Sequence, residues 1–145
     1  MPLRRSTAVV LAGLTGVALL CTSCSKGTGQ SPIHPVSGKV LYKGKPITAA
    51  VVTFHPQDKS LKERPVGNTK QDGSFRLTTY SANDGAPVGE YTVTIAWFPA
   101  IPASQGAEAE PGQNLLPAKY SKPESSGLRA KIVAGDNELP AFELE

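Results

Sequence analysis

The chain has 145 residues, 39% hydrophobic and 19% charged, enough for one modest domain and too apolar for a wholly disordered chain. Its 14 glycines and 13 prolines disfavour a helical protein, and one Met, one Trp and two His leave few residues of the kinds that usually carry catalysis or hold metal. The formal charge of +3 includes Arg4 and Arg5; without them 13 basic residues face 12 acidic ones, which excludes a general polyanion binder.

Arg4 and Arg5 precede Ala8 to Leu20, thirteen uncharged residues in the layout of a secretory n-region and h-region. A permanent membrane span needs about 20 apolar residues, and Gly13 and Gly16 weaken this stretch further as a helix. Cys21-Thr22-Ser23-Cys24 resembles a bacterial lipobox, in which small residues precede the cysteine that receives a diacylglycerol. Thr22 and Ser23 are small, whereas Leu20 ahead of Cys21 is bulky, so the resemblance implies cleavage of the Ser23–Cys24 bond and lipid on Cys24. Cys21 departs from the pattern by standing where it prefers Leu. The alternatives are ordinary secretory cleavage with both cysteines incidental, and a Cys21–Cys24 disulfide that would staple no fold.

Residues 1–23 are thus expected to be a lipoprotein signal peptide and residues 24–35 a flexible tether, with the folded domain over 36–145. Ser25 to Pro35 contains Gly27, Gly29, Pro32 and Pro35, and eleven such residues reach no more than about 36–40 Å.

From Val36 onward the apolar residues recur with a period of two. Val36, Gly38, Val40 and Tyr42 share one face, and Lys43-Gly44-Lys45-Pro46 reads as a turn. Ala50, Val52 and Phe54 form the inward face of the next segment, which Pro56 ends. Residues 65–70 give a third strand, and Asp72-Gly73 is a hairpin signal that asks for positive φ at Gly73. Phe75, Leu77 and Thr79 alternate after it; Tyr91, Val93, Ile95 and Trp97 make the clearest alternation of all. Two final strands, 127–134 and 138–145, flank Gly135-Asp136-Asn137. Seven strands in about 110 residues, with turns at this spacing, point to an all-β fold: a single antiparallel β-sandwich.

Three segments carry a family resemblance. Val36-Ser37-Gly38-Lys39-Val40, with Gly44-Lys45-Pro46-Ile47, looks like the opening of the carboxypeptidase regulatory-like, transthyretin-like domain. Thr69-Lys70-Gln71-Asp72-Gly73-Ser74-Phe75 resembles its hairpin, and Pro87-Val88-Gly89-Glu90-Tyr91-Thr92-Val93 is similar to its later strand, in the same order. Residues 116–121 and 126–128 further resemble the C-terminal half of short bacterial lipoproteins built on this domain. The likeness implies a sandwich and says little of activity, because many functions share such a fold.

Related architectures do host enzymes. Those resembling hydroxyisourate hydrolase end in Tyr-Arg-Gly-Ser, whereas this chain ends Phe142-Glu143-Leu144-Glu145. Intradiol dioxygenases hold iron with two Tyr and two His, but here His34 falls in the expected tether and Tyr42 and Tyr91 fall on core faces. His55 and Asp58 together do not complete a coordination sphere. No catalytic residue, metal site or cofactor is therefore assigned, and neither a phosphate-binding loop nor a nucleic-acid-binding pattern is present.

The candidate contact residues are Trp97, Phe98 and Tyr120. The first two leave a strand into an apolar, Pro-rich stretch, and aromatic rings on a loop suit a partner or a sugar. The competing reading has Trp97 capping the core and Phe98 packing under the loop itself, with Leu116 and Tyr120 packed back on the sandwich. The expected function is a noncatalytic cell-envelope lipoprotein, a structural or adhesive module lipid-anchored to the outer side of a bacterial membrane, with an envelope protein or glycan as partner. The alternative is a carbohydrate- or peptide-binding module using the three aromatics; a small hydrolase is a third reading.

Overall fold

Successive strand residues point to opposite faces, so a segment that alternates apolar with polar residues can bury one side against a second sheet. The computed structural model describes residues 29–99 and 112–145. Strands occupy every segment in which that alternation occurs. They are β1 (Ile33–His34), β2 (Val36–Tyr42), β3 (Lys45–Pro46), β4 (Ala50–Pro56), β5 (Val66–Asn68), β6 (Ser74–Arg76), β7 (Ala86–Pro87), β8 (Gly89–Trp97), β9 (Leu128–Ile132), β10 (Asn137–Glu138) and β11 (Phe142–Leu144).

The protein is an all-β sandwich. One sheet has the order β5-β4-β8-β9, antiparallel throughout. Its long central pair runs from Ala50 opposite Trp97 to Pro56 opposite Tyr91. The other sheet is built around β2, which takes β6 and β3 antiparallel on one side and β10 and β11 on the other. Those last two strands lie parallel to β2, an exception within the antiparallel sandwich that the strand count and turn spacing led one to expect. They can do so because the chain descends along β9 in the first sheet before it turns and climbs beside β2.

The inward faces are those the alternation marks. Val40, Val52, Phe54, Leu77, Tyr91, Val93 and Ile95 are all fully buried. Each such side chain contributes about 1.5–3 kcal/mol by leaving water. Phe54 sits at the centre, with its ring 5.7 Å from Tyr91 and 6.4 Å from both Phe75 and Phe142. Phe75 and Phe142 stack at 6.2 Å, so rings from both sheets interlock across the core.

Three features depart from the expected organisation. Residues 33–35, placed by their composition at the end of the tether, belong to the fold: β1 pairs antiparallel with β7. Asn137 N also donates to Pro35 O at 2.9 Å. Beyond the upper end of β8, Ala118–Ser121 form a single turn of 3₁₀ helix that carries Tyr120 inward. Pro140 falls between β10 and β11, where its missing N–H interrupts the pairing with β2.

The topology separates two ends of the sandwich. The chain enters β2 at Val36, at the same end as loops 57–65, 78–85 and 133–136. Loop 43–49 follows β2 at the opposite end, where Ala50 pairs with Trp97.

Candidate functional site

Trp97 is the last residue of β8, on the inward face shared by Tyr91, Val93 and Ile95. At the strand end the core thins, and a large amphipathic ring closes it. The indole Nε1 donates to Thr48 O at 2.9 Å, and the ring meets Tyr42 edge-on at 6.4 Å between centroids. Its backbone is held as well, because Trp97 N donates to Asn114 Oδ1 at 3.0 Å and Leu115 N donates to Trp97 O at 3.0 Å. Trp97 is half-buried and packs against the core.

The next residue faces the other way. Phe98 is 44% exposed, and Leu115, tied to the same strand end, is 51% exposed. Tyr120 is not offered beside them. The residue is 5% exposed, its hydroxyl accepts from Glu145 N at 3.1 Å, and Lys119 Nζ lies 4.7 Å from its ring centroid. The three aromatics therefore do not form one platform: Phe98 is exposed, Trp97 is half-buried, and Tyr120 is part of the packing. Residues 100–111, which continue the apolar stretch, lie outside the described residues, as does Cys24.

The histidines are separate. His34 Nδ1 accepts from Gly135 N at 3.1 Å and so helps to hold β1 against the turn between β9 and β10. His55 lies on the outward face of β4, where Nε2 shares a hydrogen bond of 2.9 Å with Thr94 Oγ1. Burial holds its imidazolium form down, and the nearby Arg64 charge adds to this, so its pKa lies below the usual histidine value. A cavity of about 390 Å³ adjoins it, lined among others by Asp58, Leu61 and Arg64 but by no serine. Asp58 is engaged locally: its Oδ1 accepts from Ser60 N at 2.8 Å, which lowers its pKa. Among the described residues no three His, Cys, Asp or Glu side chains converge as metal ligands would, and no helix is long and apolar enough to cross a membrane.

Two polar clusters escape sequence reasoning because their members are remote or look like ordinary loop residues. Asp84 accepts from the backbone N–H groups of Thr79, Tyr80 and Ser81 at 2.7, 2.9 and 2.8 Å, fixing loop 78–85. Tyr80 donates its hydroxyl to Glu63 Oε1 at 2.6 Å and thereby ties that loop to loop 57–65. Both clusters account for their own polar groups.

A more open feature lies along one edge of the sandwich. Between β9 and the β10–β11 segment runs a groove of about 490 Å³ with Leu128, Ala130, Leu139 and Phe142 among its lining residues. Strand patterning placed these residues in the last two strands, but it could not reveal that those strands lie in different sheets. In comparisons with known proteins, the chain matches no family model, no curated protein and no solved structure.

Proposed function

We propose that this chain is a noncatalytic cell-envelope lipoprotein: a carboxypeptidase regulatory-like, transthyretin-like β-sandwich, tethered by lipid on Cys24 to the outer side of a bacterial membrane and serving as a structural or adhesive module. The observation that carries the reading is the order of segments at the front of the chain. Arg4 and Arg5, the uncharged run from Ala8 to Leu20, and the small residues Thr22 and Ser23 ahead of Cys24 precede a β-sandwich. Three of the side chains that could have suggested chemistry have structural partners. His34 supports β1, Tyr120 supports the C-terminal strand, and Asp58 caps its own loop.

An acyl chain contributes about 0.8 kcal/mol per buried methylene, and one chain alone binds reversibly, so the two chains of a diacylglycerol suffice for stable attachment. Mass spectrometry of the mature N-terminus tests the anchor. Cleavage before Cys24 with a diacylglyceryl mass on that residue is expected, as is loss of that mass in Cys24→Ser and its retention in Cys21→Ser. An unmodified Cys24, or an acylated Cys21, overturns it.

A second reading, a carbohydrate- or peptide-binding module at the Trp97 end, draws support from the exposure of Phe98. It must do without Tyr120, and Trp97 offers it only part of a ring whose N–H is already engaged.

A further inference from the structure

A two-sheet sandwich has two open sides, and this chain treats them differently. On one side β5 and β6 lie in different sheets, yet their backbones stay joined. Val66 and Thr78 exchange hydrogen bonds of 3.0 and 2.8 Å, and Lys70 N donates to Ser74 O at 2.7 Å. On the other side β9 and β10–β11 also lie in different sheets and run antiparallel, but they diverge. Among the described residues the hydrogen bonds that pin them lie at their turn, where Asn137 Nδ2 donates to Val133 O and Gly135 O, both at 2.9 Å, and Asn137 Oδ1 accepts from Val133 N at 2.9 Å. Past that pin the strands spread around the 490 Å³ groove.

The two lips differ. β9 ends the order of its sheet and presents one continuous edge from Leu128 to Ile132. The opposite lip is broken by Pro140, which has no N–H to offer. Leu128, Ala130 and Leu139 on the groove floor are only partly buried, although they pack against the core. Arg129 and Lys131 alternate with them, are exposed and rim the groove on the β9 side, while Glu143 rims it on the opposite lip. In register, Lys131 stands opposite Glu90 of β8, whereas Arg129 stands opposite Thr92 and has no acidic cross-strand neighbour there.

We infer that this seam is a docking site for an extended segment of a partner protein, which adds to β9 as a further strand and alternates apolar with acidic residues. Strand addition supplies backbone hydrogen bonds, and alternate side chains supply the specificity. The apolar residues of the guest turn inward over Leu128, Ala130 and Leu139. Its acidic residues turn outward beside Arg129 and Lys131, where opposite charges across a strand pair are favourable. A second copy of this chain is disfavoured as the guest, because two β9 edges would bring these basic side chains together. The pinned turn presets the groove, which lowers the ordering cost of binding.

This site deepens the reading of the protein as an interaction module but does not depend on the lipid anchor, so peptide binding without lipid on Cys24 would defeat the anchor alone. The test uses the full chain in non-ionic detergent and a five-residue blocked peptide alternating valine with glutamate, followed by amide chemical shifts. Shifts confined to residues 127–132 and 139–143 are expected. Affinity should fall at least about tenfold in an R129E/K131E double variant, and a valine–lysine peptide should not bind. Both positions are exposed, so an unchanged melting temperature will show that the variant is folded. The inference is overturned by no shift at millimolar peptide, by shifts centred on Trp97 and Phe98, by indifference to the charge reversal, or by dimerisation through β9 without peptide.

Discussion

Gly73 shows how one position can be constrained twice. Its φ of +77° lies in the left-handed region, and a Cβ there would stand 2.6 Å from Val40 O and 2.9 Å from Pro46 Cβ. The turn is also fixed by Gly73 N donating to Lys70 O at 2.9 Å and by Asp72, whose Oδ1 accepts from Ser74 N at 3.0 Å. Gly73→Val should therefore cost about 2–5 kcal/mol, combining left-handed strain with overpacking, and a denaturant titration will read it as a lower midpoint. Tyr91 makes a prediction of a different kind. Its hydroxyl donates to Pro87 O at 2.8 Å inside the core, and burial, with a smaller contribution from Glu63, pushes its pKa up to about 12. The folded phenol resists ionisation that the unfolded one accepts near pH 10. Its contribution is complete below that pH and is lost as pH rises through about 12. Thermal melts between pH 10 and 12 should show a steeper fall in stability for the native chain than for Tyr91→Phe. His55 acts at the acid side. Because burial and Arg64 depress its pKa, the unfolded chain binds the extra proton more readily, and stability falls as pH drops below the ordinary histidine value. His55→Gln should flatten the stability profile between pH 7 and 5.

At the scale of the element, legibility followed the physics of the signal. A period of two reports which face of a strand is buried, and Tyr91, Val93 and Ile95 on β8 or Val52 and Phe54 on β4 are where it placed them. It carries no information on partner or direction, so the parallel union of β10 and β11 with β2 and the open seam beside it were invisible. β1 was hidden for another reason. Two residues between Pro32 and Pro35 form no pattern, and their strand exists only because distant groups receive it. Gly85 is the chief of these: at φ +109° it lets the His34 carbonyl approach so closely that any Cβ would overlap it. Tyr120 was offered by the sequence both as a contact residue and as packing; it is buried, and the Glu145 N–H that meets its hydroxyl is too remote in sequence to have decided between the two. Gly85→Ala should accordingly release β1 while sparing the core. Faster hydrogen exchange and proteolysis within residues 29–35, with little change around β4 and β8, is the expected result; unchanged protection there would show that β1 is held by other contacts.

Over the whole molecule, the first long strand and the last residues of the chain are neighbours. β2 pairs with Asn137 and Glu138 beside Val36 and Ser37, and with Phe142 to Leu144 beside Val40 to Tyr42. Its other edge is already taken by β6 and β3, so no other strand is positioned to replace the C-terminal ones. Phe142 contributes a ring to the central aromatic cluster, and Leu144 is 1% exposed. Losing a buried Phe costs about 3–5 kcal/mol and a buried Leu about 2–5, while domains of this size are stable by only about 5–15 kcal/mol. Removing residues 142–145 would therefore take away an amount comparable to the entire stability and would also unpair half of one edge of β2. Because Phe142 packs on Phe54 and Phe75, one from each sheet, the loss cannot stay local. The truncated chain should lack dispersed amide resonances and show no cooperative thermal transition, whereas the intact chain should unfold in one step seen alike by Trp97 fluorescence and circular dichroism. A cooperative melt of the truncated chain would mean that the two sheets hold together without their C-terminal edge.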